Sequence, residues 1–279
     1  MTTSTADLPL SGNPVDLLTL VRSALLDELG WLRHGVTTRV RGLGVAEGNV
    51  GYTAPRDVED AWLMREVWTR AVGLDPDRMV RVRQVHGDGV AVADLSDGLR
   101  GGRPEADEAP IADAIVTDTP GLVLMTLHAD CLPILLADRR LRVVATIHAG
   151  WRGTLLGIAD ATVRRMSEAF GTHPSDVSAF VGPGISVDAF AVGDEVVAAF
   201  GQRWPREQLT QRRGRSTHLD LKRANARQLV QAGLRAEFVE VSPLCTVADQ
   251  DRLFSHRAQG RDTGRLAAII GIAPDGVDS

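Results

Sequence analysis

Lysine is almost missing from this chain. Lys222 is the single one in 279 residues and sits in no Gly-Lys-Ser/Thr context, so a phosphate-loop nucleotide site is excluded. Cysteine is nearly as scarce. Cys131 and Cys245 allow one pair, which is no disulfide framework for so long a chain, and both thiols are expected to be reduced. No Gly-x-Ser-x-Gly elbow occurs, which removes the common serine-hydrolase arrangement. Gly42-Leu43-Gly44 with Gly48 has the wrong spacing for a dinucleotide loop. The seven histidines include no His-x-His pair, so the many-imidazole set of a multicopper electron-transfer centre is not expected. The longest apolar run, Gly121 to Ala137, is broken by His128, Asp130 and Pro133 and cannot span a bilayer. Met1 to Pro14 lacks the basic-then-apolar pattern of a secretory signal, so a cytoplasmic protein without membrane contact is expected. The net charge is −5 and the arginines are dispersed, which argues against a nucleic-acid partner.

What is present is an ordinary globular composition, 44% hydrophobic and 24% charged, which disfavours extended disorder. The reading is a flexible leader over residues 1–12 and one domain over 13–279. Asn13-Pro14 followed by Leu17, Leu18, Val21, Leu25 and Leu29 predicts a capped helix ending at Gly30. Further helices are expected over 55–71, 154–170, 192–200 and 221–232. Strands are expected from His34 and over 79–85, 90–93, 122–127, 134–137, 142–147, 177–181 and 237–241, with a last apolar strand near the C-terminus. The Gly87-Asp88-Gly89 turn makes 79–93 read as a hairpin with His86 at its corner. The arginine-rich stretch 202–216 reads as a solvated loop. Hairpins mixed with strand-helix units imply an α+β (mixed α/β) fold with mixed sheets and helices packed on them.

Three of these strand ends deliver chemistry. His86 follows Arg83-Gln84-Val85, Cys131 stands in His128-Ala129-Asp130-Cys131-Leu132-Pro133, and His148 opens His148-Ala149-Gly150-Trp151-Arg152-Gly153. Two imidazoles and a thiol suit zinc, and a catalytic zinc keeps three protein ligands with one position open. The residues also fit a cysteine nucleophile, with His86 or His148 as base and Asp130 or another carboxylate orienting it. Buried cysteines and satisfied histidines with no such role are common.

In order and combination the motifs resemble the YfiH-like family, also called the laccase-domain or purine nucleoside phosphorylase family and once labelled polyphenol oxidases. The resemblance runs from Gly30 onward through His34-Gly35-x-Thr37-Thr38-Arg39, Gln84-Val85-His86-Gly87, Ala129-Asp130-Cys131, His148 to Gly153, Gly182-Pro183-x-Ile185, Cys245-Thr246, Phe254-Ser255-His256-Arg257 and Thr263-Gly264-Arg265. It implies a single α-β domain and zinc held by His86, Cys131 and His148. It implies phosphorolysis of adenosine, inosine, guanosine or methylthioadenosine, with adenosine deamination in some members. Purine nucleoside and phosphate are then the partners, and the chain is a monomer or homodimer. Editing of peptidoglycan precursors, copper-dependent phenol oxidation and a non-enzymatic zinc scaffold are the alternatives. Arg39, Arg152, Arg257 and Arg265 fall in matching motifs as phosphate candidates, because a guanidinium binds oxyanions through paired hydrogen bonds. Asp130 is a further candidate for orienting ligand or water. The chain departs from the family at Ala189-Phe190-Ala191, where many relatives have Cys-Tyr-Glu, at Arg257-Ala258 and at Met64-Arg65.

Overall fold

The apolar runs become strands buried on both faces, which is why they are continuous rather than alternating. In the computed structural model, residues 18–52, 57–98, 100–103, 108–205 and 208–274 are described. Numbered along the chain, four strands form one sheet in the order β1 (Leu32–Val36), β13 (Leu266–Ile272), β5 (Val123–His128) and β2 (Met79–Arg81). Six form a second, in the order β12 (Val239–Val241), β8 (Val177–Val181), β6 (Leu132–Asp138), β7 (Val144–Ala149), β4 (Ala114–Thr117) and β3 (Val90–Val92). A small third sheet has the order β10 (Thr210–Arg213), β11 (Ser216–Leu219) and β9 (Ala191–Val192). Both large sheets mix parallel and antiparallel pairs, as expected of the fold class.

The two-residue period of each strand sorts its side chains between layers. Leu124 of β5 and Leu266, Ala268 and Ile270 of β13 face the second sheet, where Leu135, Ala137 and Val144 meet them. Their neighbours Val123, Met125, Ala267 and Ile269 face outward and pack on Met64, Trp68 and Val72 of α2 (Val58–Val72). On β6, Leu132, Ile134 and Leu136 point to the far side, into α4 (Ile158–Phe170) and α6 (Leu221–Gln231). The result is four layers: helix, sheet, sheet, helices.

Several expectations are corrected. The expected N-terminal helix begins outside the described residues, and residues 18–23 are not helical: Val21 bridges Val36, and the Ser23 amide and hydroxyl are taken by His34 and Glu240. Among the described residues of this segment one turn forms, α1 (Ala24–Asp27), capped by Ser23. The helix expected over 154–170 is two, α3 (Trp151–Leu156) and α4, because Gly157 turns left-handed at φ 101. The helix expected over 192–200 is α5 (Asp194–Arg203), starting after β9. The arginine-rich loop contains the β10–β11 hairpin, turning at Gly214 with φ 58. Strand β4, absent from the sequence reading, carries only four residues. The hairpin over 79–93 does not exist: β2 joins the first sheet and β3 the second.

Candidate metal centre

That lost hairpin is what builds the site. β2 and β5 lie side by side and parallel, Met79 against Val123, so both chains leave the first sheet at the same edge. Both then cross to the second sheet. The crossing after β2 carries His86 and the crossing after β5 carries Cys131, while β7 brings His148 from the second sheet, with Pro133 opposite it. The ligand atoms of His86, Cys131 and His148 all lie within 4.8 Å of one another. The sequence-predicted trio therefore converges.

A fourth residue, which sequence reasoning missed, holds the trio in place. Ala114 is paired with Val90 on one side and Ile147 on the other, so Asp113 lies between the His86 loop and His148. Its carboxylate accepts the amides of Val85 (3.1 Å), His86 (3.0 Å) and Gly87 (2.7 Å) and the Nδ1 of His148 (2.8 Å). Its carbonyl accepts the His148 amide at 2.7 Å. Asp113 is wholly buried. Burial by itself would raise its pKa, but the His148 bond and the amides outweigh it and hold the carboxyl below its usual range. With Nδ1 committed, His148 has Nε2 left for a ligand, the usual carboxylate-histidine-metal relay. The same bonds hold His86 at φ 62, a conformation that non-glycine residues reach only when their surroundings fix it.

Burial disfavours a Cys131 thiolate, yet the His148 charge and hydrogen bonds from His148 and His86 prevail and lower its pKa. His148 is shifted the opposite way: burial opposes its charge, and Cys131 and Asp113 more than compensate. A ready thiolate is the form a metal needs. His128 packs beside His148 at 5.5 Å between ring centroids and spans Thr126 Oγ1 and the Cys131 carbonyl. Burial and the His148 charge keep it neutral.

Gly150 gives the trio its closeness. A Cβ there would stand 2.9 Å from Cys131 Sγ and 3.0 Å from His86 Cδ2. Gly150→Ala is therefore expected to lower metal affinity about tenfold or more, measured by chelator competition; unchanged affinity would show that the three ligands have room to spare.

The trio opens on a cavity of about 780 Å³ whose wall includes Trp151, Phe190, Asp130 and the arginines Arg81, Arg83, Arg257 and Arg265. Arg39 and Arg152 are not part of this wall. Arg39 binds Glu47 and the Gln250 carbonyl, and Arg152 lies over the Trp151 ring at 4.4 Å. Asp130 does not aim at the metal ligands: its carboxylate accepts Thr246 Oγ1, Ser255 Oγ and the Arg257 amide, fastening α7 (His256–Gln259) to the Cys131 turn. Arg257 reaches the carbonyls of Ala189 and Ala191 beside Phe190.

The donor set fits one metal ion. Among the described residues it is the one cluster of three or more His, Cys, Asp or Glu able to hold an ion. A thiolate with two imidazoles is a donor set that serves zinc and also serves copper. No described helix is long and apolar enough to cross a membrane.

Residues 33–273 match the family described as multi-copper polyphenol oxidoreductase laccase. A purine nucleoside phosphorylase of Deinococcus radiodurans is 37% identical over 243 residues, covering 86% of this chain and 88% of that protein. Adenosine deaminase RL5, from an unidentified prokaryote, is 38% identical over 199 residues, covering 70% of this chain and 75% of that one. The crystal structure of YlmD from Geobacillus stearothermophilus superposes with a TM-score of 0.83 at 31% identity, covering 88% of this chain and 93% of that chain. With the sheets, the convergent His-Cys-His set and matches across nearly the whole described chain agreeing, the protein belongs to the YfiH-type laccase-domain family of enzymes.

Proposed function

We propose that this enzyme phosphorolyses purine nucleosides at a zinc centre held by His86, Cys131 and His148. The observation that carries the reading is the arrangement of one cavity: a His-Cys-His set on one side, guanidiniums on the wall, and the rings of Trp151 and Phe190 facing the same space. Zinc, when bound, supplies a Lewis acid with an open coordination position. The chain's own groups account for the rest. Arginines hold the phosphate, and a purine lies against Trp151 or Phe190 by stacking. In the reaction a phosphate oxygen attacks C1′ of the ribose while the bond from C1′ to N9 breaks. Its electron pair goes to the purine together with the proton that the attacking phosphate gives up, and pentose 1-phosphate is released. The relative named a purine nucleoside phosphorylase supports the same reading. We place the enzyme in the cytoplasm, consistent with two free cysteines.

Deamination is the second reading, favoured by the relative named an adenosine deaminase. There water displaces the 6-amino group of adenosine, giving inosine and ammonia. Metal-loaded protein incubated with adenosine, with and without phosphate, separates the two. Phosphorolysis yields adenine and ribose 1-phosphate only when phosphate is present, and deamination yields inosine in either case. Zinc-loaded protein that turns over adenosine, inosine and guanosine in neither way would overturn both.

A further inference from the structure

We propose that the stretch of cavity wall at Arg81 is an oxyanion subsite that takes inorganic phosphate, with Arg81 as its main contact and Arg65 behind it. The identification of phosphate as a co-substrate rests on the phosphorylase reading; the subsite itself rests on charge that the described residues leave uncompensated.

The chain as a whole is acidic, with net charge −5, yet among the described residues this cavity wall carries four arginines against one acid, Asp130. That acid is already occupied by Thr246, Ser255 and the Arg257 amide. The arginines are not equivalent. Arg257 is engaged by the carbonyls of Ala189 and Ala191, and Arg265 Nη1 by those of Thr263 and Gly264. Arg81 makes one long bond, Nη1 to the Gly101 carbonyl at 3.3 Å, and its Nε has no partner. No carboxylate pairs with it among the described residues.

Directly behind it, Arg65 of α2 is fully buried. Its Nε and Nη1 donate to the carbonyls of Val50 and Gly102, its guanidinium lies 3.5 Å from the Tyr52 ring centroid, and its Nη2 has no partner. Gly101 and Gly102 are consecutive, so their carbonyls hold the two guanidiniums as neighbours. Burial lowers both pKa values, and Arg81 lowers that of Arg65 further. Two adjacent like charges, one wholly buried and the other half-buried at the cavity wall, each with a buried unsatisfied donor, are an unfavourable arrangement that one anion would relieve. Bonds to loop carbonyls explain why Arg65 is retained as a staple. They do not explain why a second cation, with a free donor and facing the cavity, stands against it. Arg83 adds to the same wall, since residues two apart on an extended chain share a face. Several forked donors from one side match the three or more acceptor oxygens of a tetrahedral phosphate better than a planar carboxylate.

The test is calorimetric titration of inorganic phosphate, and separately of adenosine 5′-monophosphate, into full-length zinc-loaded protein without nucleoside. Saturable phosphate binding is expected, weakened about tenfold or more in Arg81→Gln, with zinc content and the KM for nucleoside unchanged and the KM for phosphate raised in step. Arg81→Lys keeps the charge and stem but loses the fork; it should also weaken phosphate binding, and it stands in if R81Q does not fold. Equal phosphate affinity in wild type and R81K, no binding to wild type, or binding of the nucleotide but not of free phosphate would each overturn the subsite. Phosphate binding that R81Q weakens, in a protein that phosphorolyses no nucleoside, would uphold the subsite and discard the phosphorylase reading.

Discussion

Asp113→Asn is expected to cost the protein both its metal and a substantial part of its stability. The carboxylate is wholly buried and faces four donors: the amides of Val85, His86 and Gly87 and Nδ1 of His148. An asparagine of nearly the same shape presents one oxygen and one NH₂ group, so at least one donor, and on geometry two, would meet another donor. Each unsatisfied buried donor costs about 1–3 kcal/mol, which gives about 3 kcal/mol for the substitution. The same change frees the His86 loop from its left-handed conformation and removes the bond that orients His148. Loss of such an orienting partner lowers metal affinity about 10- to 100-fold. Urea denaturation of the metal-free protein and chelator competition on the loaded one read the two effects separately. The pH dependence gives a further check. The Asp113 carboxyl is depressed in the folded state, so its contribution is complete above the unfolded value of about 3.9 and is lost as pH falls through the lower folded value. Wild type and D113N should therefore converge in stability at the acidic end and differ most above it. A constant gap down through that range would mean that the carboxylate is not what holds the loop.

The contrast between His148 and Asp113 shows what the sequence could reveal. His148 lies in a motif rich in glycine, at the end of an apolar run, and two other strand ends carry complementary ligand types. That combination is legible from residue chemistry alone. Asp113 sits in Ile111-Ala112-Asp113-Ala114, where no periodicity or spacing marks it, and its partners are 26 to 35 residues away. Only the pairing of β4 between β3 and β7 makes it a neighbour of both ligands. An Asp set among apolar residues just before a strand of Ala, Ile and Val was the available signal, and it needs the strand to be recognised first.

The fold divides in the same way. Elements with local signals are placed well: β8 spans 177–181 as read, and α6 starts at the Asp220 cap and stops before Gly233. What failed were decisions that depend on partners far along the chain. A two-residue alternation over 79–93 says that both segments are extended, but nothing in it says that one joins β5 and the other β4. The N-terminal apolar spacing fits a helix, yet Val36, His34 and Glu240 claim the backbone and side-chain groups of Val21 and Ser23 first. Among the arginines, motif membership was only half informative about location: Arg257 and Arg265 line the cavity, and Arg39 and Arg152 do not. Arg39 ended on Glu47, whereas Arg81, outside every matching motif, ended on the cavity wall.

Removing the thiolate should have the largest effect of all, and its pH dependence should identify the proton that metal binding displaces. In the metal-free protein Cys131 and His148 stabilise each other as thiolate and imidazolium, the thiol pKa falling and the imidazole pKa rising. A metal takes the thiolate as it stands but must expel the His148 proton at any pH below that raised value. Affinity should therefore fall by about tenfold per pH unit or more on acidification below the raised His148 value, because that proton must be expelled. Below the lowered Cys131 value the thiol proton competes as well, and the fall should steepen further. Cys131→Ser abolishes one ligand and also the charge that raises the His148 pKa. The variant should lose bound metal on purification and fall to background turnover. Its residual affinity, tracked by chelator competition from about pH 5.5 to 8.5, should begin its fall at a lower pH than that of the wild type, because His148 has lost the charge that raised it. A wild-type affinity that is flat across this range would rule out the thiolate-imidazolium pair, and a C131S protein retaining a full equivalent of metal would rule out Cys131 as a ligand.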